Sequence, residues 1–122
     1  MRHLSDENLS FWISSAPSTG FPPLAAGTRV DVAIIGGGIL GITAAYLLKQ
    51  EGLTVAVIEG DRIVRGVTGY TTAKITSGQH LIYSELKQKF GEAGARLYGE
   101  SNEAALAKMA ELVDALGIDC DF

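Results

Sequence analysis

The sequence has few of the residues that mark secreted or membrane proteins. It contains one cysteine, Cys120, so it cannot form an intrachain disulfide, and a reducing compartment is the expected location. It has no run of the ~18 consecutive apolar residues that a membrane helix requires. The first twelve residues, MRHLSDENLSFW, lack the apolar segment of a secretory signal. We therefore expect a cytoplasmic protein without a membrane span.

Positive charge is also scarce. Ten lysines and arginines stand against 14 aspartates and glutamates, which leaves a net charge of −4. This balance argues against a nucleic-acid partner, because a phosphate backbone requires a basic face. His3, His80 and Cys120 show no metal-ligand spacing, so no metal site is predicted. Apolar residues make up 47% of the chain, which favours a packed core over intrinsic disorder.

The first 28 residues are expected to form an irregular lead-in. A short helix over residues 6–13, capped by Ser5, is predicted before three prolines and a glycine that exclude regular structure. Three aromatic side chains are expected to pin the lead-in to the rest of the protein: Phe11, Trp12 and Phe21. We assign no chemistry to this segment.

The next part of the chain has the pattern of a strand, a helix and a second strand. Residues 29–35, RVDVAII, are mostly apolar and β-branched, which indicates a strand buried on both faces, as in parallel sheets. Residues 39–50 carry the apolar stripe of a helix, which Gly52 is placed to end in the left-handed conformation. Residues 54–58, TVAVI, form a second buried strand. The predicted fold class is α/β, with a Rossmann-like βαβ dinucleotide-binding unit and additional helices.

Two helical patterns follow a polar loop. Residues 60–80 are rich in Gly, Thr and Ser and are predicted to contain at most a short helix. Helices are predicted over residues 81–90 and roughly 92–116, the second ended by Gly117. We expect residues 29–122 to form an incomplete dinucleotide-binding domain with one face or edge of its sheet uncovered, so the chain should self-associate.

Three glycines lie between the first strand and the helix and match G-x-G-x-x-G. Gly36 lets the chain turn sharply out of the strand, Gly38 lets a pyrophosphate approach the backbone, and Gly41 lets the helix lie close to the strands. The helix opens at Ile39 and Leu40, so its free N–H groups and positive dipole end would face the phosphates.

An acid ends the second strand. Glu59 follows Gly41 by 18 residues, near the ~20 expected for the carboxylate that binds the adenosine ribose hydroxyls. It fits either NAD or FAD, whereas it would repel the 2′-phosphate of NADP. A P-loop is disfavoured, because Ile42 stands where that motif requires lysine. The residues up to this point therefore predict dinucleotide binding and leave NAD and FAD both open.

Three runs resemble the D-amino-acid-oxidase-like (glycine/sarcosine oxidase type) FAD-dependent oxidoreductases: DVAIIGGGILG at residues 31–41, AAYLL at 44–48 and VAVIE at 55–59. The next run, DRIVRGVTGYTTAK at residues 61–74, resembles a subgroup whose members often carry a C-terminal Rieske [2Fe–2S] domain. The resemblance implies that FAD is the cofactor. It also implies that this chain is the N-terminal fragment of an oxidoreductase that oxidises an amine or amino-acid-like substrate by hydride transfer to flavin.

The same resemblance implies roles for the loop after the second strand. By position, Arg62 would lie beside the adenosine. Three threonines would face the pyrophosphate or the ribityl-flavin side: Thr68, Thr71 and Thr72. Lys74 is either a flavin-side cation or a helix-start residue. At residues 64–66, VRG, the sequence departs from the family, which often has a smaller, glycine-rich turn there.

The family pattern extends well beyond 122 residues. We therefore expect the rest of the FAD domain, the substrate domain and any [2Fe–2S] domain to lie outside this chain, which has no Rieske ligand set and no assignable catalytic residue. The fragment alone should be inactive, and the full-length protein should act on a small-molecule substrate. Two alternatives stay open: an NAD-binding dehydrogenase or regulatory nucleotide-binding module, and a non-catalytic interaction module that uses the helix before Gly117.

Overall fold

The computed structural model describes residues 9–120, which fall into two compact units. The first unit extends to Thr72 and the second begins at Ala73. The predicted boundary after residue 28 lies inside the first unit and stays a prediction. No helix within the described range has both the length and the apolar character needed to cross a membrane.

The first unit is built on a small parallel sheet. Strand β1, Val32–Ile35, is followed by helix α2, Ile39–Gln50, and then by strand β2, Val55–Ile58. The strands pair in parallel, with Val32 opposite Val55 and Ile35 opposite Ile58. The chain therefore contains the predicted order of strand, helix and parallel strand. A short helix, α1, Phe11–Ser15, precedes the sheet.

Hydrogen bonds fasten both ends of the strand pair. At the amino end, the Asp31 carboxylate accepts from the Thr54 backbone N–H at 2.8 Å and from its hydroxyl at 2.6 Å. These bonds lower the pKa of Asp31 below its usual range. At the carboxyl end, the Gly36 N–H donates to the Ile58 carbonyl at 2.8 Å. The register of the two strands is set at the residues that flank them as well as within them.

Helix α2 ends where glycine permits a left-handed residue. Gly52 has φ +84°, and its N–H donates to the Lys49 carbonyl at 3.1 Å. The next N–H, from Leu53, donates to the Leu48 carbonyl at 3.2 Å. These bonds satisfy carbonyls that the last helical turn leaves without partners. The predicted role of Gly52 is confirmed.

The composition of the strands predicts burial on both faces, and this prediction is wrong. Alternate residues of β1 are half-buried and exposed, with Ile35 89% exposed, and β2 is half-buried throughout. Helix α2 packs against both strands, and the described residues supply no third strand. Apolar strand residues need a layer on each face to be buried. The uncovered sheet agrees with the expected open face or edge, while self-association stays a prediction.

The lead-in differs from its predicted form. Residues 9 and 10 are not helical, so the helix predicted over residues 6–13 is wrong there, and residues 5–8 lie outside the described range. Helix α1 begins at Phe11 because Ser10 caps it, its hydroxyl accepting from the Ile13 N–H at 3.3 Å. Phe11 and Phe21 are 69% and 73% exposed, so these rings do not anchor the segment by burial.

The second unit contains the two predicted helices joined at a glycine. Helix α3, Ile82–Leu116, is interrupted at Gly91, which has φ 73° and ψ −179°. Its end is the predicted one, because Gly117 is left-handed and its N–H donates to the Asp114 carbonyl at 3.2 Å. The Tyr83 and Tyr98 rings meet edge to face across this break, with centroids 5.9 Å apart.

Gly41→Ala tests the contact that holds α2 to the strands. Alanine favours a helix over glycine by about 1 kcal/mol, yet a Cβ at Gly41 would overlap the Gly36 carbonyl oxygen. We expect this overlap to outweigh the helical gain and to lower the free energy of unfolding by about 1–3 kcal/mol, measured by urea denaturation. Gly60→Ala is the matched control, because a Cβ there meets nothing within 4 Å. Equal stability of the two variants would contradict the contact.

Candidate functional site

The turn between β1 and α2 brings backbone unusually close to other parts of the chain. Gly36 has φ +106°, a conformation that favours glycine. A Cβ on Gly37 would lie 2.6 Å from Ile63 Cγ2, and one on Gly38 would lie 3.3 Å from Thr68 Oγ1. Gly37 and Gly41 are both buried. We call residues 36–41 the glycine corner. A Cβ at Gly37, Gly38 or Gly41 would force neighbouring atoms to move.

The carboxylate of Glu59 lies against this glycine corner. Its Oε2 accepts from the Gly37 N–H at 2.8 Å, and its Oε1 accepts from the Asp61 N–H at 3.1 Å. The bond from Gly37 is the larger cause, and that from Asp61 the next, of a pKa for Glu59 below its usual range. Each carboxylate oxygen has two lone pairs and can also accept a hydroxyl. The acid predicted from spacing therefore lies beside the glycines predicted with it.

The loop after β2 folds back onto the same turn. The Val64 N–H donates to the Gly37 carbonyl at 2.9 Å. Four residues on, the Thr68 hydroxyl accepts from the Ile39 N–H at 3.1 Å, so it lies at the start of α2. Thr68 belongs to a single-turn 3₁₀ helix, Val67–Tyr70. Of the three threonines named from the sequence, Thr68 is thus brought to the helix start, where its hydroxyl proton can still be donated.

Val64 resolves the path of the loop where the sequence departs from the family. It has φ +64°, the left-handed region that costs a residue with a Cβ about 1–2 kcal/mol. Valine therefore adopts here a conformation that glycine would adopt more readily. The hydrogen bond from Val64 to Gly37 shows what this strained conformation serves, since it ties the loop to the glycine corner.

The other predicted site residues lie around this centre. Ile39 and Leu40 are exposed at the start of α2. Arg62 donates from Nη1 to the Ser18 hydroxyl at 2.6 Å. The Thr71 carbonyl accepts from Trp12 Nε1 at 2.9 Å, and Thr72 is exposed at the end of the first unit. Their cofactor-contacting roles stay predictions.

Lys74 is not a helix-start residue. It lies in an irregular segment, and α3 begins eight residues later at Ile82. The alternative that placed it on a helix start is therefore wrong.

A cavity of about 690 Å³ opens beside Glu59. One side is formed by Ile42 and Ala45 of α2 and by the end of β2, and another by residues 61–63. The remaining wall is residues 19–24 of the lead-in. Its size falls within the ~300–1,000 Å³ of small-molecule sites.

Two groups of residues at this site have no role predicted from the sequence. Gly37 and Gly69 are buried, and a Cβ on Gly69 would meet the Val64 carbonyl and the Ile13 side chain. The lead-in contributes polar contacts to the loop from Ser10 and Ser18, beside the bond from Trp12, a residue expected to pin the lead-in. For the first group, the presence of a glycine at position 69, between Thr68 and Tyr70, was a signal in the sequence. No local pattern indicates the second, since those contacts span 44 to 59 residues.

Comparison with known proteins identifies the family. Residues 31–122 match the DAO family, described as FAD dependent oxidoreductase. The chain belongs to this family. The match begins at the residue before β1 and includes the glycine corner, Glu59 and the loop to Thr72. No solved structure gives a significant match.

Three relatives illustrate the range of the family. The chain is 42% identical over 113 residues to Bacillus subtilis YhfW, which is named as a Rieske 2Fe-2S iron-sulfur protein, and 29% identical over 102 residues to Haemophilus influenzae OrdL, named as an oxidoreductase. It is 25% identical over 120 residues to the gamma-glutamylputrescine oxidoreductase of Escherichia coli. These alignments cover 93%, 84% and 98% of this chain but only 22%, 24% and 28% of the relatives.

Glu59→Gln tests the carboxylate contact through pH. The pKa of Glu59 is lower in the folded protein than in the unfolded chain, so its contribution to stability is present above the ordinary glutamate pKa of about 4.3 and is lost as the pH falls through the lowered value. Urea midpoints measured from neutral pH down through this window should fall less steeply in the variant than in the parent chain.

Asp31→Asn is the companion variant for the pH experiment. Its pKa is lowered by Thr54 at the opposite end of the strands, so its contribution has the same sign. Each substitution should reduce the fall of the urea midpoint at acidic pH, and the two effects should add, because the two residues share no contacts. A Glu59→Gln profile parallel to that of the parent chain would show that the bonds from Gly37 and Asp61 do not stabilise the fold.

Proposed function

We propose that this chain is the FAD-binding N-terminal part of an oxidoreductase that oxidises an amine or amino-acid-like substrate by hydride transfer to flavin. One observation carries the proposal: the glycine corner, the start of α2 and the Glu59 carboxylate meet at the carboxyl end of two parallel strands. Ligands of open α/β sheets bind at this end. The proposed cofactor-binding residues are Gly36, Gly38, Ile39, Leu40, Gly41, Glu59, Arg62, Thr68, Thr71 and Thr72.

The donor set fits a dinucleotide. The first turn of α2 has N–H groups without intrahelical acceptors, and the helix dipole favours anions there. The Thr68 hydroxyl lies 3.1 Å from the Ile39 nitrogen and adds a donor at the place proposed for the pyrophosphate. Glu59 would accept the ribose hydroxyls. FAD, when bound, supplies the flavin that accepts the hydride, while these residues bind and orient it.

FAD is favoured over NAD by the family and by the chain after Glu59. The family description names FAD. After β2, the described residues continue into a loop, a 3₁₀ turn and helix α3. An NAD-binding dehydrogenase or regulatory module would be expected to add further alternating strands and helices. NAD⁺ is therefore included in the binding experiment as the competing ligand.

The substrate and any second cofactor belong to the rest of the protein. The name of the Escherichia coli relative specifies a polyamine derivative, which supports an amine-like substrate. The name of the Bacillus subtilis relative supports a [2Fe–2S] domain in the whole protein. No catalytic residue is assigned within residues 1–122, and the proposed activity requires residues beyond the matched portion.

Glu59→Ala tests the proposed cofactor site in the intact protein that carries this chain. Loss of the charged hydrogen bonds from the ribose should raise the FAD dissociation constant about 10- to 100-fold, measured by flavin fluorescence on reconstitution of the apoprotein. Asp31→Asn, at the opposite end of the strands, should leave the constant within about 2-fold. Binding of NAD⁺ without FAD, or equal FAD affinity in Glu59→Ala and the parent protein, would contradict the proposal.

A further inference from the structure

The lead-in is attached to the loop that the family resemblance assigns to the cofactor. The Ser10 hydroxyl donates to the Gly69 carbonyl, and Trp12 Nε1 donates to the Thr71 carbonyl at 2.9 Å. Between them, Ile13 packs against Gly69, where a Cβ would come within 2.9 Å of Ile13 Cδ1. Helix α1 is thus fixed to the 3₁₀ turn by two hydrogen bonds and one close apolar contact.

A second attachment lies at the end of the lead-in that faces the cavity. Arg62 Nη1 donates to the Ser18 hydroxyl at 2.6 Å, and residues 19–24 begin directly after this bond. Arg62 therefore contacts the lead-in and also lines the cavity beside Glu59. The guanidinium is fixed in direction by a hydroxyl that comes from 44 residues earlier in the chain.

The wall formed by residues 19–24 has no partner layer of its own. Phe21 and Leu24 are 73% and 61% exposed, although both are apolar and both line the cavity. Pro22 and Pro23 lie between them and restrict the backbone. Ile42 and Ile58 also line the cavity. The cavity is thus a slot lined by apolar side chains of both segments, with Glu59, Asp61 and Arg62 as its charged residues.

We propose that residues 19–24 form one wall of the adenosine half of the cofactor site, and that Arg62 is a positioning residue that holds this wall through Ser18. The inference rests on the proposed function. It extends that function to a segment before β1, outside the residues that match the family. In this proposal Arg62 affects adenosine binding by holding residues 19–24 in place through its hydrogen bond to Ser18.

Adenosine is the occupant because of where the cavity begins. Glu59 lines the cavity and also accepts from the Gly37 N–H, so this carboxylate links the cavity to the glycine corner. A dinucleotide with its pyrophosphate at the corner and its ribose on Glu59 places the adenine in this slot. The flat faces of the adenine ring can pack against these apolar side chains, and the exposed Phe21 and Leu24 would lose water contact on binding.

The experiment measures FAD and ADP binding by the intact protein carrying Ser18→Ala or Leu24→Asp. Ser18→Ala removes the bond from Arg62 and should raise both dissociation constants about 3- to 10-fold. Leu24→Asp should raise both about 10-fold or more, because bound adenosine would desolvate the new charge. FAD is followed by flavin fluorescence and ADP by its competition with FAD.

Each variant has a matched control. Ser14→Ala removes another exposed lead-in hydroxyl, one that donates to the Phe11 carbonyl and has no bond to Arg62. Leu97→Asp introduces the same charge at a leucine of similar exposure, 65%, in the second unit. Both controls should leave FAD and ADP affinity within about 2-fold of the parent protein. Ser18→Thr, which retains the hydroxyl, should restore most of the affinity that Ser18→Ala loses.

The outcomes separate this inference from the proposed function. If the parent protein binds FAD and neither Ser18→Ala nor Leu24→Asp weakens it, the lead-in is not part of the site. A loss of FAD affinity with unchanged ADP affinity also overturns the inference, since the effect then lies on the flavin half. Absence of FAD binding in the parent protein would instead refute the proposed function itself.

Discussion

The contact between Gly41 and the Gly36 carbonyl is the constraint on which the rest of the first unit depends. The chain leaves β1 at Gly36 with φ +106°, and α2 can return over the strands only because Gly41 has no Cβ to meet that carbonyl. This close approach puts the first turn of α2 at the carboxyl end of the sheet. Everything proposed to bind the cofactor is placed relative to that turn.

The loop after β2 contributes through backbone as much as through side chains. Val64 accepts a left-handed conformation so that its N–H can reach the Gly37 carbonyl, and Thr68 then lies at the Ile39 N–H. Strain in one residue is thus offset by hydrogen bonds that order the loop on the glycine corner. The side chains that the family resemblance assigns to the cofactor are positioned by this backbone path.

Charge at the site is arranged at the surface. Glu59 is exposed, yet backbone N–H groups from Gly37 and Asp61 hold its pKa below the usual range. The carboxylate is therefore ionised at neutral pH, oriented, and still able to accept further hydrogen bonds. A site of this kind requires no buried charge.

Local patterns determined much of this protein without any coordinates. Residues 29–59 were sufficient for the two strands, the helix between them and its end at Gly52, because apolar periodicity and glycine conformation act over a few residues. The same holds for the two helical segments within residues 82–116 and for the end at Gly117. The pairing of Glu59 with the glycine corner also followed, since parallel strands carry their carboxyl ends to one edge.

Tertiary structure alone decided what covers the site and what stays exposed. The contacts of Ser10, Trp12 and Ser18 with the loop link residues 44 to 59 positions apart, so no pattern within either segment encodes them. The burial of β1 and β2 was overestimated for the same reason. The composition of a strand shows that it can be buried, but it does not show whether other elements cover its faces. Apolar character is a property of a residue, whereas burial is a property of its neighbours in space.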